Sequence, residues 1–244
     1  MNLSISPDDT LFFSWGFFEI NATILYTWII MAILFTVSWI ATRKIEKGVK
    51  ISRWQAAMEV IVDAIRGEIR EMMGSDPDRY LPFLGSLFLF ILTANLLTIM
   101  PAYEAPTGSL STAAALAIVV FVSVPVFGIT EKGLGGYLKS YIKPSPVMLP
   151  FNIISELSRT LALAVRLFGN IMSGTLIAGV LLSIAPFFVP VIMQVFGLIV
   201  GVIQAYIFTV LAAIYIASAT QVQRKQEEKL KKQINEKSKE ESDG

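Results

Sequence analysis

A guanidinium set among apolar side chains, with amides and hydroxyls at helical spacing around it, is the feature of this sequence best suited to chemistry. Arg166 sits near the middle of residues 151–182, FNIISELSRTLALAVRLFGNIMSGTLIAGVLL. At about 100° per residue, Asn152, Ser155, Glu156, Arg159, Arg166, Asn170 and Ser173 share a sector roughly 100° wide. The opposite side is Leu, Ile, Val, Ala and Phe. Arginine stays protonated at any workable pH, so it cannot carry a proton; it is a fixed positive charge. A mobile carboxylate passing it would be held ionised, and would take up a cation again on moving away into low dielectric. A cation following the stripe would be repelled at Arg166. Two half-channels divided by an electrostatic gate are what such a pattern can make.

The first question is what balances the charge. Glu156 is the only acid on this stretch, ten residues and about 15 Å from Arg166 along a helix. It is better spaced to pair with Arg159 at i+3. Arg166 then has no local partner, and a counter-charge from another chain is expected; an ion pair inside the bundle is the plainer alternative. A second seam lies in the last apolar segment, where Gln194, Gly197, Gly201, Gln204, Ala212, Tyr215 and Ala219 fall on one face. Glycines alone would mean close helix packing; Gln204 adds an amide to the seam, opposite the stripe.

The elements holding these residues are membrane spans. From residue 167 to 223 there is no charge, a run of 57 residues. As one helix it would be about 85 Å long, nearly three hydrocarbon cores, so it must turn back, and Pro186 and Pro190 mark the turn. An arginine near the midplane costs roughly 2.5–3.5 kcal/mol on insertion scales, a cost that function or a partner must offset. The chain is 54% hydrophobic and 16% charged, against about 25% charged in soluble domains, which points to a membrane protein. Its net charge of +1 carries no signal for nucleic acid. It has no cysteine and no histidine, which removes disulfides, most zinc sites and a histidine proton relay. No phosphate-binding glycine loop is present, no cofactor or metal is implied, and no catalytic nucleotide site is expected.

In order, residues 1–19 form a polar and aromatic leader with Asp8, Asp9 and Glu19 but no Lys or Arg, so no cleaved signal is expected. Residues 20–41 make the first span, followed by Arg43, Lys44, Lys47 and Lys50. By the positive-inside rule that end faces the cytoplasm and the N-terminus lies outside. Residues 53–73 place Trp54, Met58, Ile61, Ile65, Ile69 and Met72 at three- and four-residue steps among charges, an amphipathic helix expected on the membrane surface rather than packed as a soluble helix. Residues 80–100 carry one amide, Asn95, and lead into a loop with the acid Glu104. The third span is 110–130, closed by a loop with Lys132, Lys139 and Lys143. Residues 151–182 and 191–220 complete five spans. The tail, 221–244, mixes seven Lys/Arg with six Asp/Glu and is expected to fray into disorder in the cytoplasm. The expected architecture is an all-α integral membrane domain over residues 1–244, with residues 80–182 and 191–220 as the ion-translocating part. At about 48 Å against roughly 30 Å of hydrocarbon, the 151–182 helix must tilt strongly or lie partly in the membrane plane.

Three stretches, NIISELSRTLALAVRLFGNIMSGTLI around Arg166, ANLLTIMPAYEAPTGSLSTAAALA at 94–117, and GLIVGVIQAYIFTVLAAIYI near the C-terminal end, resemble subunit a of F-type ATP synthases. The likeness covers much of residues 80–220; the first span and surface helix fit its layout but match weakly. It implies the Fo sector of a rotary motor in a bacterial or archaeal plasma membrane. The implied partners are a ring of c subunits bearing membrane carboxylates, peripheral-stalk b subunits, the rest of F1Fo and the lipid bilayer. By this likeness Arg166 is the essential arginine, Asn170 and Gln204 are its polar neighbours, Glu156 lies by the cytoplasmic half-channel, and Asn95 lies near the outer one. Two positions depart from the family pattern. Thr175 stands where many relatives have an acid, and Gly197 where some have histidine. The outer path is then lined by amides and hydroxyls, with Tyr206 or Tyr215 as further candidates, and proton and sodium coupling both stay open.

An independent ion channel or secondary transporter is the alternative reading. Against it, no internal repeat is visible and the helix through Arg166 has no break. A membrane scaffold would leave the buried arginine without a purpose.

Overall fold

The computed structural model describes residues 11–15, 18–43, 53–73, 77–100, 103–142, 148–184 and 189–240. Much of the expected leader, Lys44, Lys47, Lys50, Lys143 and Pro186 of the expected turn lie outside these residues. Two short antiparallel strands, β1 (Leu11–Trp15) and β2 (Phe18–Asn21), come first, pairing Phe13 with Ile20 and Trp15 with Phe18. Six helices follow: α1 (Ala22–Arg43), α2 (Arg53–Met73), α3 (Leu81–Leu96), α4 (Leu110–Ile142), α5 (Met148–Ile184) and α6 (Val189–Glu240). Five stretches are long and apolar enough to cross a membrane: Ala22–Ile40, Leu81–Ile99, Leu110–Glu131, Leu149–Ser183 and Pro190–Thr220. The protein is an all-α integral membrane protein to which a small N-terminal hairpin is added.

Local chemistry explains the ends. A proline near the start of α3 has no N–H to leave unsatisfied, which suits a first helical turn. The far end tightens into a 3₁₀ turn, Leu97–Ile99, and Met100 is extended, as expected for the residue before Pro101. The third span ends within one residue of expectation, at Glu131, but the loop expected after it is corrected: helix resumes there. Gly133 has φ +71° and ψ 160°, a left-handed break that glycine tolerates, and the chain continues helically to Ile142. The second leg folds back so closely that a Cβ on Gly128 would lie 2.6 Å from the Tyr137 ring. The charged tail also differs from expectation, since α6 runs on as helix to Glu240. Its Gln, Glu, Lys and Leu residues are strong helix formers, and mixed charge alone does not undo that.

The core lies between α3, α4, α5 and α6, around Leu84, Ile91, Val120, Leu167, Phe208 and Ile216. Alanines at 113, 117, 205 and 212, all fully or nearly fully buried, let these helices approach closely. The C-terminal half of α2 docks on this core through Ile69 and Met73, with Ile65 and Met72 partly buried beside them. Helix α1 is peripheral, with Trp28, Phe35 and Trp39 exposed.

Candidate functional site

Helix α5 runs unbroken for 37 residues, about 55 Å, and carries Arg166 near its middle. The polar sector read from sequence stays largely uncovered: Ser155, Arg159, Arg166, Asn170 and Ser173 are exposed, and Asn152 and Glu156 are half-buried. The two ion pairs formed among the described residues join Arg66 to Asp63 at 3.2 Å and to Asp78 at 2.9 Å. Arg166 is in neither.

One turn beyond Arg166, the Asn170 side-chain amide donates to Gln204 Oε1 on α6 at 2.5 Å. Gln204 is 1% exposed, and its own Nε2 is a buried donor without an acceptor among the described residues. The two helices whose polar faces were expected to meet therefore do so through these two amides. A buried donor left without an acceptor is costly, so this amide is held there by its surroundings rather than by its own bonding.

Arg159 was expected beside Glu156 at i+3, and the ion pairs among the described residues do not include that pair. The Arg159 guanidinium instead reaches α6 and lies over the Tyr215 ring, 5.6 Å from its centroid. This contact sets Tyr215 at the Glu156 end of the stripe. Tyr206 donates to Glu68 Oε2 of α2 at 3.0 Å. Thr175 turns back to the Met172 carbonyl at 2.9 Å, and Ser173 to that of Asn170 at 3.1 Å. Gly197 is exposed, and a Cβ there would meet nothing within 4 Å.

Asn95, 4% exposed, is held at both ends of its amide. Its Nδ2 donates to the Gly201 carbonyl at 2.9 Å, and its Oδ1 accepts from Thr107 Oγ1 at 2.8 Å. Thr107, fully buried in the Pro106–Gly108 turn, was missed by sequence reasoning. Its only signal is a hydroxyl in a Pro-Thr-Gly turn near an intramembrane amide. Gln194 Nε2 donates to the Thr98 carbonyl at 2.6 Å, a second tie between α6 and the end of α3. At the opposite end of α3, buried Tyr80 donates to Glu131 Oε2 at 3.0 Å. Burial first, and then the Glu131 carboxylate, raise its phenol above the usual tyrosine pKa.

A family model described as ATP synthase A chain matches residues 24–217, which include α1 through most of the apolar part of α6 and every residue of the site just described. The chain belongs to the ATP synthase a-subunit family. It is 58% identical over 218 residues to ATP synthase subunit a of Albidiferax ferrireducens, covering 89% of this chain and 94% of that protein. It is 56% identical over 225 residues to ATP synthase subunit a 2 of Picosynechococcus, covering 92% and 97%. Subunit a 1 of Chlorobaculum parvum is 53% identical over 223 residues, covering 91% and 99%. Within this family frame the five spans, the exposed Arg166 and the α5–α6 amide pair belong to one membrane subunit of an ATP synthase.

Proposed function

We propose that this chain is the ion-translocating stator of an F1Fo ATP synthase, forming two offset half-channels against a rotating ring of c subunits. It couples proton flow, or sodium flow if the rotor site selects sodium, to ATP synthesis or hydrolysis. The observation that carries the reading is Arg166: exposed on an unbroken intramembrane helix, one turn from the Asn170–Gln204 amide contact, and in neither ion pair among the described residues.

A ring carboxylate facing Arg166 would be held ionised by the fixed charge, and would bind a cation again once it moved into lipid. The same charge repels a cation that attempts to cross directly. Asn170 and Gln204 keep the guanidinium in a polar setting. Ser155, Glu156, Arg159 and Tyr215 serve the cytoplasmic half-channel; Asn95, Ser173, Thr175 and Gly197 belong to the outer half. In this arrangement the N-terminus is outside, the C-terminus is cytoplasmic, and peripheral-stalk b subunits hold the chain against the torque of the ring. Basic residues after the first span and after the third support that orientation.

The deciding experiment is Arg166→Ala in the assembled complex. Coupled ATP synthesis is expected to be abolished while ATP hydrolysis by the detached catalytic sector survives; normal synthesis would falsify the assignment. Pumping in sodium-free buffer settles the ion: undiminished pumping means protons, and pumping restored only by added sodium means sodium.

A further inference from the structure

Gln204 is buried, yet its position on α6 is not set by its own hydrogen bonds alone. One turn earlier, Gly201 presents its carbonyl to Asn95, and the approach is as close as a backbone allows. A Cβ built on Gly201 would lie 2.8 Å from Asn95 Cβ and 3.4 Å from Asn95 Cγ. Real Cβ atoms do not come that near, so any side chain at 201 must push α6 away from α3. Asn95 cannot swing aside, because Thr107 Oγ1 holds its Oδ1 at 2.8 Å. Thr107 is fully buried, and the Pro106–Gly108 turn that carries it touches α1, α3, α4 and α5. The clasp therefore ties a wedged turn, α3 and the backbone of α6 at one level. Gln204 follows three residues later, about 4.5 Å along the axis, with its Oε1 on Asn170.

We propose that Thr107, Asn95 and Gly201 form a clasp that fixes the depth and rotation of α6, so that Gln204 meets Asn170 beside Arg166. They are positioning residues for transport. The inference rests on the stator reading. It gives Asn95 a specific role: both ends of its amide are taken by protein groups, so Asn95 holds the geometry beside the ion path. A rotation of α6 that opened the Asn95–Gly201 contact by 1 Å would carry the Gln204 amide off Asn170 by a similar distance.

The test is a double-mutant cycle on ATP-driven pumping by the intact synthase in membrane vesicles, normalised to assembled complex. Gly201→Ala is expected to slow pumping about tenfold or more, up to the roughly hundredfold that misplacement by an ångström can cost. Gly85→Ala on α3, where an added Cβ meets only Leu81 Cδ1 at an ordinary 3.9 Å, is expected to pump normally. Gln204→Leu should slow pumping by itself. Because Gly201 acts through Gln204, the double variant should be no slower than the worse single variant. If Gly201→Ala blocks assembly, Thr107→Val enters the same cycle, and Thr107→Ser, which keeps the hydroxyl, should restore the rate. Losses that multiply, wild-type pumping in both Gly201→Ala and Thr107→Val, or wild-type pumping in Gln204→Leu would each overturn the clasp. These outcomes differ from normal synthesis in Arg166→Ala, which strikes the stator reading itself.

Discussion

Two faces of the same helix pair make opposite use of the membrane. On the inward face of α6, Gly201, Gln204, Ala205, Phe208 and Ala212 are buried against α3, α4 and α5. About a third of the residues in the α6 span, Pro190–Thr220, are buried inside the chain. On the α5 span, the longest of the five, only Leu163, Ala164 and Leu167 are. The contrast extends to single residues. Gly201 is explained by Asn95 at 2.8 Å, whereas Gly169, Gly174 and Gly179 on α5 would accept a Cβ with nothing within 4 Å. Asn95 has both ends of its amide bonded, while Arg166 has no ion-pairing acid among the described residues. One face is finished by the chain itself. The other is a polar stripe edged by exposed Leu161, Val165 and Leu176, which fits a surface completed by another subunit.

Substitutions can break or sharpen this contrast, and Arg166→Ala carries the largest effect on coupling. For stability the sharpest pair is Leu163→Ala and Leu161→Ala, two residues apart on α5. Leu163 is 1% exposed in the core and Leu161 is 64% exposed. Emptying the Leu163 site should cost about 2 kcal/mol or more and lower the thermal stability of the detergent-extracted complex. Leu161→Ala should stay within about 0.5 kcal/mol. Equal losses would mean that α5 has no unfinished side. Gln204→Leu comes next, with pumping slowed several-fold and assembly intact; a wild-type rate would remove it from the site. Tyr215→Leu should release Arg159 at a cost of about 0.5–1 kcal/mol, measurable as a small drop in thermal midpoint. The smallest change is expected from Tyr80→Phe, which removes the bond to Glu131 at roughly 1 kcal/mol or less. Its pH signature is distinctive. A phenol whose pKa is raised on folding stabilises the fold fully below about pH 10 and loses that contribution as pH rises through the raised value. The wild-type protein should therefore show a loss of stability at strongly alkaline pH that Tyr80→Phe lacks.

How much of this could be read from the chain follows the range of the interactions. The bounds of α2, Arg53–Met73, match expectation because its apolar period is local and interrupted by charge. The five spans were legible for the same reason, and the polar sector of α5 needed only helical spacing. What escaped depends on contacts distant in sequence. Asn95 and Gly201 are 106 residues apart, and nothing at either position names the other. The seat of Arg159 over the Tyr215 ring is likewise set by where α6 lies. The Gly133 break escaped because a glycine between Lys132 and Leu134 reads equally well as the start of a loop. The helical tail was misjudged by weighing net polarity above helix propensity.

The exposed guanidinium bears on the life of the chain before assembly. On the stator reading proposed above, a newly inserted copy with no ring beside it would hold a permanent cation against acyl chains, which must dimple or admit water around it. That orphan should be the least tolerated form of the protein, prone to aggregation and proteolytic clearance. Its abundance in the membrane should then track the supply of the subunit that brings the anion.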